Sequence, residues 1–87
     1  MIMYQIEIVK SAIKTLKSIP PSQREKIAKS INDLAFNPRP PGCKKLKGYE
    51  KYRIKISDYR VIYEIEDTVL IILIIKIGHR KDIYRNL

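Results

Sequence analysis

Three cations recur at short spacing in one segment of this chain: Arg53, Lys55 and Arg60. A second polar group follows, with His79, Arg80, Tyr84 and Arg85 close together. Arginine and lysine can hold phosphate oxygens and stabilise negative charge developing on phosphorus. A lysine crowded by like charges can also give up its proton and act as a base. One reaction suits such a set, because RNA brings its own nucleophile, the neighbouring 2′-hydroxyl. The protein must then deprotonate that hydroxyl, stabilise the phosphorane, protonate the leaving 5′-oxygen and hold the geometry.

Composition narrows the alternatives. Eighteen Lys and Arg against nine Asp and Glu give a net charge of +9. Such a field attracts polyanions: nucleic acid, an anionic membrane or an acidic protein segment. The excess is uneven. Lys44, Lys45, Lys47, Lys51, Arg53, Lys55 and Arg60 fall within 44–60, opposed only by Glu50 and Asp58. One Cys and one His cannot build a zinc site of usual spacing, and the three glycines are too scattered for a phosphate loop. The few carboxylates form no divalent-metal pattern, so neither a metal nor a cofactor is expected. The lone Cys43 and the missing leader pattern point to a reducing, cytoplasmic setting. The longest apolar run, Val69 to Ile75, is far short of the roughly 20 residues that span a bilayer.

The elements that must carry these residues are legible from periodicity. Residues 1–87 read as a single domain. Met3 to Val9 reads as a strand, with Ile6 and Ile8 alternating with Gln5 and Glu7. A short helix from Ser11 carries Ile13 and Leu16 and is stopped by Pro20-Pro21. Ser22 and Glu25 have the spacing of a capping box for a second helix. That helix aligns Ile27, Ile31, Leu34 and Ala35 and ends at Asn37-Pro38. A proline-rich connector follows. Tyr52 to Ile56 and Val61 to Ile65 alternate as two strands of a hairpin, and Val69 to Ile77 reads as a central strand covered on both faces. Lys44 to Lys47 could add a short edge strand. The expected fold is α+β in two layers: an N-terminal strand and a helical hairpin on a mostly antiparallel sheet, in the order β-α-α-β-β-β.

The hairpin decides where the cations point. A two-residue loop at Asp58-Tyr59 would set Lys55 opposite Ile62 and Arg53 opposite Glu64. Residues two apart share a face, so Arg53, Lys55 and Arg60 would lie together. Tyr52, Ile54, Ile56, Val61, Tyr63 and Ile65 would face the helices. Lys76 and Arg80 share parity and would extend the basic face if the last strand lies beside the hairpin. The competing reading is a solvated strand face that guards against edge pairing. Likewise His79 could simply anchor a loop and Tyr84 could close the core. Clustered cations without interspersed carboxylates favour a site that an anion fills.

The run from Tyr52 to Ile65, with its YRxxxxxYRxxYE pattern, followed by Ile77-Gly78-His79-Arg80-Lys81-Asp82-Ile83-Tyr84, closely resembles the RelE family of the RelE/ParE toxin superfamily. The likeness extends over nearly the whole chain, including the segment Lys45 to Gly48. It implies a RelE-like fold and the toxin of a toxin–antitoxin pair: a ribosome-dependent mRNA endonuclease held inactive by a cognate antitoxin. By position, the resemblance makes Lys55 the candidate general base and Arg60 the phosphate-stabilising arginine. Arg80 becomes a candidate acid or charge stabiliser, and Tyr84 the tyrosine that stacks on a base. Arg53 stands where the best-known members carry Lys, which implies an electrostatic role, and His79 is a second-tier site. The other cations, Lys44, Lys45, Lys47, Lys51, Lys76, Lys81 and Arg85, are expected to bind RNA. Two alternatives stay open: a ParE-like gyrase inhibitor without catalysis, and a non-catalytic RNA-binding module.

Overall fold

The computed structural model describes residues 2–85. The elements are β1 (Gln5–Ile8), α1 (Lys10–Ser18), α2 (Pro21–Leu34), β2 (Lys44–Lys45), β3 (Tyr52–Ile56), β4 (Tyr59–Glu66) and β5 (Ile71–His79). The five strands form one sheet in the order β1-β5-β4-β3-β2. Only the β1–β5 pair is parallel. This is the α+β architecture the periodicity predicts, with the edge strand at Lys44–Lys45 present.

Both helices pack on one face of the sheet, α1 on β5 and α2 against β1 and β3. Ala12 and Ile19 from the first helix and its exit, and Ile27, Ile31 and Leu34 from the second, meet Ile54, Ile56, Val61, Tyr63, Ile72, Ile74 and Ile77. Prolines place the helix boundaries. Ile19 is extended, as a residue before proline must be, and Pro21 occupies the first turn of α2. The expected Ser22–Glu25 capping box does not form. The helix starts two residues earlier, with Pro20 at the cap position, so Ser22 lies inside the first turn and no side chain caps the N-terminus. Arg24 instead donates through Nε and one terminal nitrogen to the Ile19 carbonyl, each at 3.2 Å.

Two further differences matter for the site. The hairpin turns at Ser57-Asp58, one residue earlier than expected, with Ser57 at φ 56°. Lys55 therefore faces Arg60 and Arg53 faces Ile62. The register moves by two residues, an even number, so no side chain changes face. The last strand starts at Ile71, not Val69, because Leu70 adopts φ 56° in the preceding turn. This strand also carries a bulge: Ile62 pairs with Lys76 but Tyr63 pairs with Ile74, which leaves Ile75 as the extra residue. The bulge reverses the alternation. Ile72, Ile74 and Ile77 all reach the helix side, and Lys76 and Gly78 turn to the opposite, helix-free side with Ile62 and Arg60.

The connector is tied down at the far end of the sheet. The fully buried Tyr63 hydroxyl donates to the Pro38 carbonyl at 2.7 Å. Asp67 accepts from the Tyr4 hydroxyl at 2.6 Å and from Arg39 at 3.2 Å. Burial, chiefly, holds the Tyr63 phenol above its ordinary 10.0, with the nearby Cys43 thiol adding to the effect. The folded chain thus keeps a proton that the unfolded chain releases above about pH 10. Stability should be intact below that pH and fall as pH rises towards the higher folded value. Urea unfolding at about pH 8 and about pH 11 should show this loss in the wild type and a smaller loss in Tyr63→Phe. That variant should also lose about 1 kcal/mol at the lower pH through the missing bond to Pro38. At the acid end, the Tyr4 hydroxyl and then Arg39 hold the Asp67 carboxyl below its ordinary 3.8. Its small contribution is complete above 3.8 and should vanish as pH falls through the depressed value, so Asp67→Asn should flatten this part of the acid limb in the same titration.

Candidate functional site

The helix-free face is sorted by charge. Near β1, Glu7 and Glu64 flank Leu73 in one row across the sheet. At the hairpin end the rows are cationic. Lys44 lies directly opposite Arg53, and Lys55 directly opposite Arg60. Like charges so placed repel, by a few tenths to about 1 kcal/mol per pair.

These rows line a cleft of about 610 Å³. Its floor comes from strands β2 to β4, through Lys44, Lys45, Arg53, Lys55 and Arg60. Leu46 and Lys47 form one rim, and Arg80, Lys81 and Tyr84 the other. No carboxylate of the described residues lines it. Arg53 is only 4% exposed, and it makes no ion pair among the described residues. With no counter-charge among the described residues, this guanidinium is free to pair with an anion in the cleft.

The remaining cations are held in ways that an incoming anion can exploit. Arg60 folds over the hairpin turn, its terminal nitrogen donating to the Ser57 carbonyl at 3.1 Å and the Tyr59 carbonyl at 2.9 Å. Arg80 donates its backbone N–H to the Asp58 carbonyl at 2.7 Å, and its Nε lies 3.7 Å from the Asp58 carboxylate. Both side chains of that pair are more than half exposed, so the pair contributes little and a phosphate can compete for the guanidinium. Tyr84 is 49% exposed on the cleft rim. It presents a ring to solvent where a splayed base could stack.

Other candidates are placed elsewhere. His79 pairs with Tyr59 on the helix side and does not line the cleft. Its Nδ1 accepts the Lys81 N–H at 3.2 Å and its ring meets Tyr59 edge-on, so it anchors the C-terminal turn. Lys51 sits outside the cleft, 3.7 Å from Glu64 and over the Tyr49 ring. Lys76 shares the cationic face but donates to the Arg85 carbonyl, and the Arg85 side chain pairs with Asp82 at 3.5 Å. Lys45 lines the cleft while pairing with Glu50 at 3.2 Å.

Two site residues escape the sequence reading. Asp58 had counted only as an opposing charge, yet it holds Arg80. Ile83 is 1% exposed in a segment otherwise open to solvent, and its Cδ1 lies against Gly78. A single apolar residue between Arg80 and Arg85 is the signal that could have found it.

Known proteins resemble this chain in sequence and in fold. Residues 6–84 match the family model for the ParE toxin of the type II toxin-antitoxin system parDE. The chain is 38% identical over 87 residues to a protein assigned as toxin RelE1 of Methanocaldococcus jannaschii, with 95% of this chain and 97% of that protein covered. Toxin RelE3 of the same organism is 32% identical, with 92% and 94% covered. A chain in the crystal structure of the archaeal RelE-RelB complex from Pyrococcus horikoshii OT3 superposes with a TM-score of 0.82 at 29% identity, covering 92% of this chain and 98% of that one. In sequence and in fold alike, this chain belongs to the RelE/ParE family of type II toxin–antitoxin toxins and is of the RelE type.

Proposed function

We propose that this toxin is a cytoplasmic, ribosome-dependent mRNA endonuclease that inhibits translation and is held inactive by a cognate antitoxin. The observation that supports it best is the cationic cleft, lined by no carboxylate among the described residues, with buried Arg53 at its floor and exposed Tyr84 at its rim. The mRNA 2′-hydroxyl attacks the adjacent phosphorus. Its proton passes to Lys55, the general base. Arg53 and Arg60 face the phosphorane and balance its added charge. The bond from phosphorus to the 5′-oxygen breaks, and that oxygen takes a proton, with Arg80 as acid or as stabiliser of the departing charge. The products carry a 2′,3′-cyclic phosphate and a 5′-hydroxyl. Tyr84 stacks on a base and fixes the attack geometry. Lys44 on the floor and Lys47 and Lys81 on the rims hold flanking phosphates, and Lys45 joins them when its pair with Glu50 opens.

An antitoxin partner fits the same surface. The solved structure from Pyrococcus horikoshii is a complex with RelB. An acidic or amphipathic segment would neutralise the cationic cleft and block RNA. The second reading, gyrase inhibition without catalysis, has its own support, because the matched family model describes ParE toxins. It requires neither this cleft nor Tyr84.

Two experiments separate these readings. Arg60→Ala or Arg80→Ala should abolish growth arrest and lower mRNA cleavage on translating ribosomes by roughly 100- to 1,000-fold, with circular dichroism unchanged. Both variants staying as toxic as wild type would show that these arginines do no chemistry. Tyr84→Phe should keep the stacking face and most of the activity. Tyr84→Ala should weaken RNA engagement by about 1–3 kcal/mol, read as a rise in KM for programmed ribosomes.

A further inference from the structure

We propose that Ile83 is a positioning residue, whose burial against Gly78 holds Arg80 and Tyr84 over the cleft. The segment that follows β5 is exposed at Arg80, Lys81, Asp82, Tyr84 and Arg85, and only Ile83 is buried. Ile83 is not part of the apolar cluster beneath the helices. It lies on the other side of the sheet, where Gly78 faces it across from Arg60. A Cβ on Gly78 would stand 3.4 Å from the Ile83 Cδ1, so Ile83 packs over the bare glycine with room for a methyl there and little more. The backbone locks the same turn. Asp82 and Ile83 both donate N–H to the His79 carbonyl, at 2.9 and 3.0 Å. Arg80 lies three residues before this anchor and Tyr84 one after it, and both line the cleft. The burial of Ile83 thus fixes the two rim groups and adds nothing to the main core.

The catalytic part of this inference rests on the nuclease reading; the positioning part does not. The full chain should be studied by backbone 15N relaxation and by cleavage of mRNA on programmed ribosomes. Ile83→Ala should drop the order parameters of the Arg80 and Tyr84 amides below about 0.6, with those of Ile72 and Ile74 unchanged. Ile83→Val should restore them. Gly78→Val, which adds bulk where Ile83 sits, should act like Ile83→Ala, and Gly78→Ala should stay close to wild type. In the two loosened variants kcat should fall roughly 10- to 100-fold, with a rise in KM smaller than that of Tyr84→Ala, because the ring is loosened and not removed. Amides at Arg80 and Tyr84 that remain as ordered as wild type in Gly78→Val and Ile83→Ala would overturn the proposal. So would a loss of order spread over Ile72 and Ile74 in both variants, which marks a purely structural role. Absence of cleavage by the wild type would refute the nuclease reading alone, and the relaxation data would still decide the role of Ile83.

Discussion

Lys44 opposite Arg53 and Lys55 opposite Arg60 are the arrangement on which the rest of the structure depends. Two adjacent like-charged cross-strand pairs, one with a buried guanidinium, oppose folding. They persist because the other side of the same strands is strongly apolar. Ile54, Ile56, Val61 and Tyr63 are nearly or fully buried beneath the helices. Each fully buried side chain of this kind contributes roughly 1.5–3 kcal/mol, which outweighs the repulsion behind it. The free side of the sheet can therefore hold a concentrated positive charge that an external anion would balance.

The surrounding elements keep that face open. Both helices gather on one side, so neither covers the opposite side. The bulge at Ile75 lets β5 serve both sides, sending Ile72, Ile74 and Ile77 to the core and Lys76 and Gly78 to the cationic face. The C-terminal turn then crosses that face and brings Arg80 and Tyr84 to the rim. The acidic residues are kept away, with Glu7 and Glu64 towards the other end of the sheet. Asp58 and Glu50 are the exceptions: they pair with Arg80 and Lys45 and do not line the cleft.

Much of this was legible in the sequence, for physical reasons that differ by residue. Strict alternation in Tyr52 to Ile56 fixed the face of Arg53 and Lys55 whatever the exact turn. The hairpin turns a residue earlier than expected, and the error is harmless because the register shift is even. The shared face of Lys76 with the hairpin cations was expected from parity, but it holds only through the bulge. With strict alternation, core residues Ile72 and Ile74 would have carried Lys76 to the helix side. No local signal marked Ile75 as the extra residue, since its neighbours are equally apolar. The capping box failed because Pro21, already suited to a first helical turn, starts the helix ahead of Ser22. The separation of His79 from the cleft depends on one residue of parity past the bulge and was out of reach.

The most direct measurement is end-group mapping of mRNA recovered from cells expressing the toxin, with gyrase supercoiling followed in the same cells. A cationic cleft that turns the RNA's own 2′-hydroxyl on the adjacent phosphate should leave codon-phased fragments ending in 2′,3′-cyclic phosphate and 5′-hydroxyl, with supercoiling unchanged. Intact mRNA with lost supercoiling, or cuts that leave 5′-phosphates, would contradict it.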